Sequence, residues 1–261
     1  LLPKRIALPV YASDALSSAA YAPDEILLTL ALAGVTAVTL SPWVGLAVII
    51  VLLTVVASYR QNVHAYPSGG GDYEIASTNL GKPAGLTVAS ALLVDYVLTV
   101  AVSMSSASHY LITAVPALNG LQAPIAAVGV AVLVLVNLRG IREAGAVFAV
   151  PTYVFMASVL GMCAAGAFQA ATGNLAQAPS AGFDLVPESG LDSGLVGLAG
   201  AFLLLRAFSS GAAALTGVEA ISNGVPTFRK PKATNAASTL LLLGGIAAAM
   251  LAGILALANA T

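Results

Sequence analysis

Ser13-Asp14-Ala15-Leu16-Ser17-Ser18 lies near the start of the chain, and Ser209-Ser210-Gly211 leads on to Thr216-Gly217-Val218-Glu219 much later. Each is a small polar run that carries one carboxylate inside a long apolar stretch. An ionisable group costs about 2.5 kcal/mol or more at the centre of a bilayer, so two of them in paired segments mark an ion or substrate path rather than helix packing. The expected fold is all-α, with helices one and six broken where these runs fall.

Composition agrees. Of 261 residues, 59% are hydrophobic and 8% charged, whereas ordinary globular domains are roughly 25% charged. This is the composition of an integral membrane protein, whose first partner is the lipid bilayer. The formal net charge is -1, and no polybasic tail is present to hold a nucleic acid polymer. Cys163 is the only cysteine, which excludes an intrachain disulfide and a Cys-based metal site. Leu1-Leu2-Pro3-Lys4-Arg5 lacks the layout of a cleaved signal peptide, because the hydrophobic stretch behind it outruns a signal core; it reads as the start of a first span.

Seven apolar runs approach about 20 residues, the length that crosses ~30 Å of hydrocarbon. They fall near 6–33, 41–63, 84–115, 123–138, 143–171, 194–225 and 233–258. A cytoplasmic N-terminus places Lys4, Arg5, Arg60, Lys82, Arg139, Arg142, Arg229, Lys230 and Lys232 at inner ends or loops, nine of the ten basic residues. The outer connections 34–40 and 116–122 then carry no charge, and the 172–193 loop holds Asp184, Glu188 and Asp192 with no Lys or Arg. Asp14 follows Lys4 by ten residues and Glu219 precedes Arg229 by ten, so each is expected about 15 Å from the inner surface at 1.5 Å per residue. One segment points outward and the other inward, as an inverted repeat requires. Residues 1–171 would form a first repeat of five helices, 172–193 an extracellular loop, and 194–261 the start of the second repeat. Seven helices of an expected ten or more would make the chain part of a longer protein.

The run Ser13-Asp14-Ala15-Leu16-Ser17-Ser18-Ala19-Ala20-Tyr21-Ala22 resembles the amino acid-polyamine-organocation (APC) superfamily, and specifically the KimA-type branch of the KUP potassium importers. So do the inner loop Tyr66-Pro67-Ser68-Gly69-Gly70-Gly71-Asp72-Tyr73-Glu74 and the stretches Leu203 to Ser210 and Leu215 to Ala220. The similarity covers essentially the whole chain. It implies a LeuT-like fold in a bacterial plasma membrane and import of potassium coupled to protons, with no enzymatic activity and no cofactor. In that family the ion is held by residues matching Asp14 and Tyr21 on span one, Tyr96, Thr99 and Ser103 on span three, and Thr216 and Glu219 on span six. The resemblance also implies a homodimer, and regulation by cyclic di-AMP through a C-terminal domain that this sequence does not include.

The residues suit a cation on their own chemistry. Tyr96, Thr99 and Ser103 fall at i, i+3 and i+7, which lines three hydroxyls along one helical face, and Thr216 and Glu219 are three apart. Oxygen-only ligands fit a hard, weakly held ion, and unwound backbone would add free carbonyls. Asp14 and Tyr21 are about 10.5 Å apart along an unbroken helix, so unwinding between them is expected if both serve one ion. Burial disfavours a charged carboxylate while a nearby cation favours it; potassium and a proton therefore compete, and Glu219 and Asp14 are the proton-coupling candidates.

Other readings exist for several of these positions. Asp14 also suits the N-cap of a half-helix, and Ser103 a bond back to its own backbone. Asp95 points about 100° away from the hydroxyl stripe, so it is of second rank. His109 either relays protons or bonds a neighbouring helix, and Arg206 either guards an outer vestibule or snorkels to the interface. Among rival functions, an amino acid permease would cradle a substrate carboxylate on a glycine-rich break, yet no glycine stands between Pro9 and Pro23 and Asp14 would repel that group. A channel would need a filter of stacked carbonyls such as Thr-Val-Gly-Tyr-Gly, which is missing. An intramembrane aspartyl protease would need an extended substrate-binding motif, and none is apparent.

Overall fold

The computed structural model describes residues 1–138, 141–179, 181, 182, 184–188 and 195–261, with side chains other than those of 141–144 and 146. Arg139 and Asp192, both used in the topology argument, lie outside the described residues, as does the side chain of Arg142. Alanine, leucine and valine dominate the apolar runs, and all but the sixth coil into a single helix, the structure that pairs backbone polar groups within the segment as hydrocarbon demands. Among the described residues no strand forms, and the one isolated β-bridge joins Leu2 to Phe228.

Two compact units emerge, Leu1–Gly69 with Ala149–Thr261, and Gly70–Phe148. The first holds α1 (Lys4–Ala31), the short α2 (Val35–Val38) and α3 (Ser41–Ala65), together with most of the helix Ile141–Ala171, whose opening residues belong to the second unit. It also holds the helices Gly197–Gly211, Glu219–Asn223 and Lys232–Ala260. The second unit contains α4 (Gly71–Leu80), α5 (Lys82–Ala114) and α6 (Gln122–Asn137). Numbering the remaining helices in chain order gives α7 (Ile141–Ala171), α8 (Gly197–Gly211), α9 (Glu219–Asn223) and α10 (Lys232–Ala260).

In the first unit α10 lies along both α3 and α1, and α8 packs on α1 and α3. Leu16, Ile26, Leu52, Ile221, Leu243 and Met250 are fully enclosed in the resulting core. Small residues bring α7 close to α10, with Gly253 facing Cys163 and Gly166 facing Leu257. The Tyr153 hydroxyl donates to Arg5 O at 2.7 Å, which ties α7 to the start of α1. In the second unit α4 runs against α5, Gly85 facing Ser77, and α5 against α6, Gly129 facing Met104.

Among the described residues five helical segments are long and apolar enough to cross a membrane: Val35–Ala65, Lys82–Ala114, Val147–Ala171, Gly197–Asn223 and Lys232–Ala260. The protein is therefore a multi-pass membrane protein. Two of the seven apolar runs are not among these five. α1 is 28 residues long but carries Lys4, Arg5, Asp14, Asp24 and Glu25, while α6 has only 16 residues.

The expected break in helix one is corrected by the structure: α1 runs unbroken from Lys4 to Ala31 through both Pro9 and Pro23. Its polar run contains no glycine and is rich in the strong helix formers Ala and Leu, so nothing there favours a left-handed or extended residue. Ser17 Oγ donates back to Asp14 O at 2.9 Å, the usual fate of a serine inside a helix. Asp14 is consequently an interior residue, and its reading as an N-cap falls away.

Helix six does break. α8 stops at Gly211, a tight 3-10 turn covers Ala212–Leu215, Thr216 is extended at ψ 146°, and Gly217 takes φ +77° before α9 begins at Glu219. A second 3-10 turn, Val225–Thr227, leads to an extended Phe228. The ten residues from Glu219 to Arg229 are thus not one continuous helix, so the 1.5 Å rise that set the depth of Asp14 does not apply to Glu219.

α1 and this broken segment lie side by side in opposite directions, joined at matched levels along their length. Ile26 meets Gly211, Ser18 meets Thr216, Asp14 meets Gly217, and Tyr11 meets Gly224. At the far end the Tyr11 hydroxyl is 2.9 Å from Thr227 Oγ1, and its ring stacks on Phe228 with centroids 5.9 Å apart. Leu2 N donates to Thr227 O at 2.8 Å, and Arg229 N to Leu2 O at 3.1 Å. A Cβ on Gly224 would sit 2.5 Å from Tyr11 Cζ, and the Phe228 stack and the Thr227 bond leave that ring nowhere to go. Gly224→Ala is therefore expected to destabilise the protein by about 1–3 kcal/mol. Thermal unfolding in detergent measures it, and an unchanged midpoint would mean that the ring yields.

Candidate functional site

The break in helix six and the polar stripe of α1 define the site. On a continuous helix Asp14, Ser18 and Tyr21 fall at i, i+4 and i+7, one above the other on one face. That face meets the chain where Thr216 and Gly217 leave helical geometry. Gly217 is buried, and a Cβ there would lie 2.7 Å from Asp14 Oδ2 and 3.0 Å from Ala15 N. Only glycine fits, both for its positive φ and for this approach, so the break and the Asp14 carboxylate are held in contact by one residue type.

Ser18 is wholly buried. Its Oγ lies 3.0 Å from the Tyr21 hydroxyl and 2.9 Å from Thr216 Oγ1, and Thr216 Oγ1 in turn donates to Ala213 O at 2.9 Å. Tyr21 and Thr216 are thus brought together through Ser18, without unwinding of α1. Glu219 is the first residue of α9, only 8% exposed, with Oε1 enclosed by protein. Asp14 and Tyr21 are half-buried. These residues supply carboxylate, hydroxyl and backbone oxygens, the donor set of a hard cation. Among the described residues no group of three His, Cys, Asp or Glu side chains converges on a metal position.

Tyr96, Thr99 and Ser103 belong to the second unit, where α5 is continuous and keeps them on one face. Four neighbours on the same helix, Thr87, Ser90, Ser108 and Thr113, donate to carbonyls of the preceding turn. Among the described residues Thr99 and Ser103 make no such bond. Asp95 and His109 are exposed on α5, and Arg206 is exposed on α8.

Ser18 is the residue that the sequence reading left out of the site. Its signal was available: it lies four residues after Asp14 and three before Tyr21, the spacing of one helical face, but it was visible only to a reading that kept α1 helical. Tyr11 was likewise unremarked, three residues before Asp14 on that stripe.

Gly217→Ala introduces a strained backbone and a collision with Asp14, and is expected to cost about 1–3 kcal/mol. Gly245→Ala is the control, because nothing lies within 4 Å of a Cβ at that position. Thermal unfolding of the two variants side by side checks this, and equal midpoints would contradict the contact.

The sequence profile of the amino acid permeases matches residues 12–260. The chain is also similar to a protein of Bacillus subtilis (strain 168) named potassium transporter KimA, 43% identical over 257 residues that make up 98% of this chain and 41% of that protein. The chain thus spans about two fifths of the length of that relative. With the permease profile running through α1, the broken helix and α10 alike, the chain belongs to the amino acid permease family.

Proposed function

We propose that this chain carries the ion pathway of a secondary transporter that imports potassium coupled to protons by alternating access. The observation that carries the reading is Asp14 lying against the Gly217 break, with a line of hydroxyls beside it. A carboxylate at that point attracts a cation and repels the carboxylate of an amino acid. The name of the Bacillus relative, a potassium transporter, supports the same substrate.

On this reading Asp14, Tyr21, Thr216 and Glu219 are ion ligands, and Tyr96, Thr99 and Ser103 of α5 are further ligand candidates on the strength of the family resemblance. Glu219 and Asp14 exchange the coupling proton as the ion enters and leaves. The proposed frame is a LeuT-like inverted repeat with seven helices of ten or more, the N-terminus in the cytoplasm of a bacterium, and transport by rocking of the first and sixth helices against the rest. One continuous and one broken helix still supply an opening in the backbone on one side of the site. A homodimer and control by cyclic di-AMP through a further domain belong to the same proposal. The work is translocation, with no covalent chemistry and no resident cofactor.

A second reading, amino acid transport, is favoured by the permease profile itself. The two separate cleanly in a cell lacking its own potassium uptake. Growth at limiting potassium without accumulation of labelled amino acids supports the cation, and the reverse pattern supports the amino acid. Glu219→Gln and Asp14→Asn are each expected to abolish uptake of potassium or rubidium while the protein reaches the membrane in normal amount; normal transport in both would falsify the site.

A further inference from the structure

We propose that Ser18 is a positioning residue of this site, the hydroxyl that takes up the Tyr21 proton and so leaves Tyr21, like Thr216, a pure acceptor facing a cation; the inference rests on the cation reading above. The argument is one of proton counting. A carbonyl oxygen only accepts, so the Thr216 hydroxyl, 2.9 Å from Ala213 O, has its single proton committed there. Thr216 N also donates to Ala213 O, at 3.1 Å, which pins the residue to the turn from both its backbone and its side chain. In the 2.9 Å contact between Ser18 Oγ and Thr216 Oγ1, Ser18 is therefore the donor. Its own proton is then spent, and the Tyr21 hydroxyl, 3.0 Å away, must donate to it.

The chain of bonds runs in one direction, from Tyr21 through Ser18 and Thr216 to Ala213 O. None of the three hydroxyls keeps a proton to offer a guest. Each keeps lone-pair capacity, since a hydroxyl oxygen accepts twice and at most one of those places is taken within the chain. Bonds aligned in this way polarise one another, which raises the negative charge on the oxygens. An anionic group needs donors and finds none along this stripe, whereas a monovalent cation finds acceptors already oriented. Ala213 O sets that polarity through Thr216, and Ser18 relays it to Tyr21 as the one hydroxyl bonded to both of the others; it is wholly enclosed, so water does not substitute for it.

The test is rubidium uptake by the intact transporter and its variants, with membrane abundance measured in parallel. Ser18→Ala frees the Tyr21 proton to point at the ion and is expected to raise KM for rubidium about five- to tenfold with maximal rate within about twofold. Ser18→Thr, which keeps the hydroxyl, is expected to restore KM. The penalties of Ser18→Ala and Tyr21→Phe are expected to overlap in the double variant, because both break the same chain. An unchanged KM in Ser18→Ala, or penalties that simply add, overturns the assignment. Should Ser18→Ala fail to accumulate, Ser18→Cys takes its place, since a thiol keeps the volume but donates weakly; an unchanged KM there overturns the assignment as well. Absence of ion uptake by the unsubstituted protein overturns the cation reading and this inference with it, whereas uptake that Ser18→Ala leaves unaltered overturns the role of Ser18 alone.

Discussion

A peptide group without a partner is costly in hydrocarbon, and this constraint governs how the two polar segments meet. The chain tolerates irregular backbone at Thr216 and Gly217 because α1 lies against it as an intact rod. α1 in turn offers the break its Asp14 carboxylate, its Ser18 hydroxyl and the close approach of its own backbone at Ala15. A second break opposite the first would leave two sets of exposed carbonyls and amides facing each other. One whole helix and one interrupted helix avoid that, and they still leave the backbone open beside the Asp14 carboxylate.

The polar groups of the site are of two kinds with different duties. Hydroxyls on Tyr21, Ser18 and Thr216 bond in series and are neutral whatever occupies the site. Asp14 and Glu219 are acidic, and they sit on different elements, one within α1 and the other at the head of α9. Under the proposed function this division separates two tasks, with a neutral hydroxyl line that fixes geometry and carboxylates that would carry the coupling proton.

Much of this architecture was legible in the residues, and where it was not the cause is physical. Apolar runs of sufficient length report helices because no other secondary structure satisfies its backbone alone in lipid. The pairing of an acidic run in the first helix with another in the sixth was likewise legible, and Asp14 indeed lies against Gly217. The state of each backbone was not. Serines and an aspartate in mid-span look alike whether they accompany an unwound turn or stay on a helix, and the difference that decides the backbone is that only the second run contains glycine. Gly217 supplies the positive φ of the sixth helix, and the first run has no counterpart. Ser18 escaped notice for the same reason, since its neighbours along the stripe are apparent only once the helix is known to continue. The three hydroxyls of α5 posed the opposite problem: periodicity alone placed them on one face, because that helix has no interruption to obscure it.

The short pairing of Leu2 with Thr227 and Arg229 closes one end of the seam between α1 and the broken helix by main-chain bonds, with the Tyr11 and Phe228 rings lying just above it. A junction made of peptide groups depends little on side-chain identity, so most replacements around it leave the two amide bonds in place. The amide bonds and the ring stack share the same few residues, which ties the main-chain and aromatic contacts of that end into one cluster.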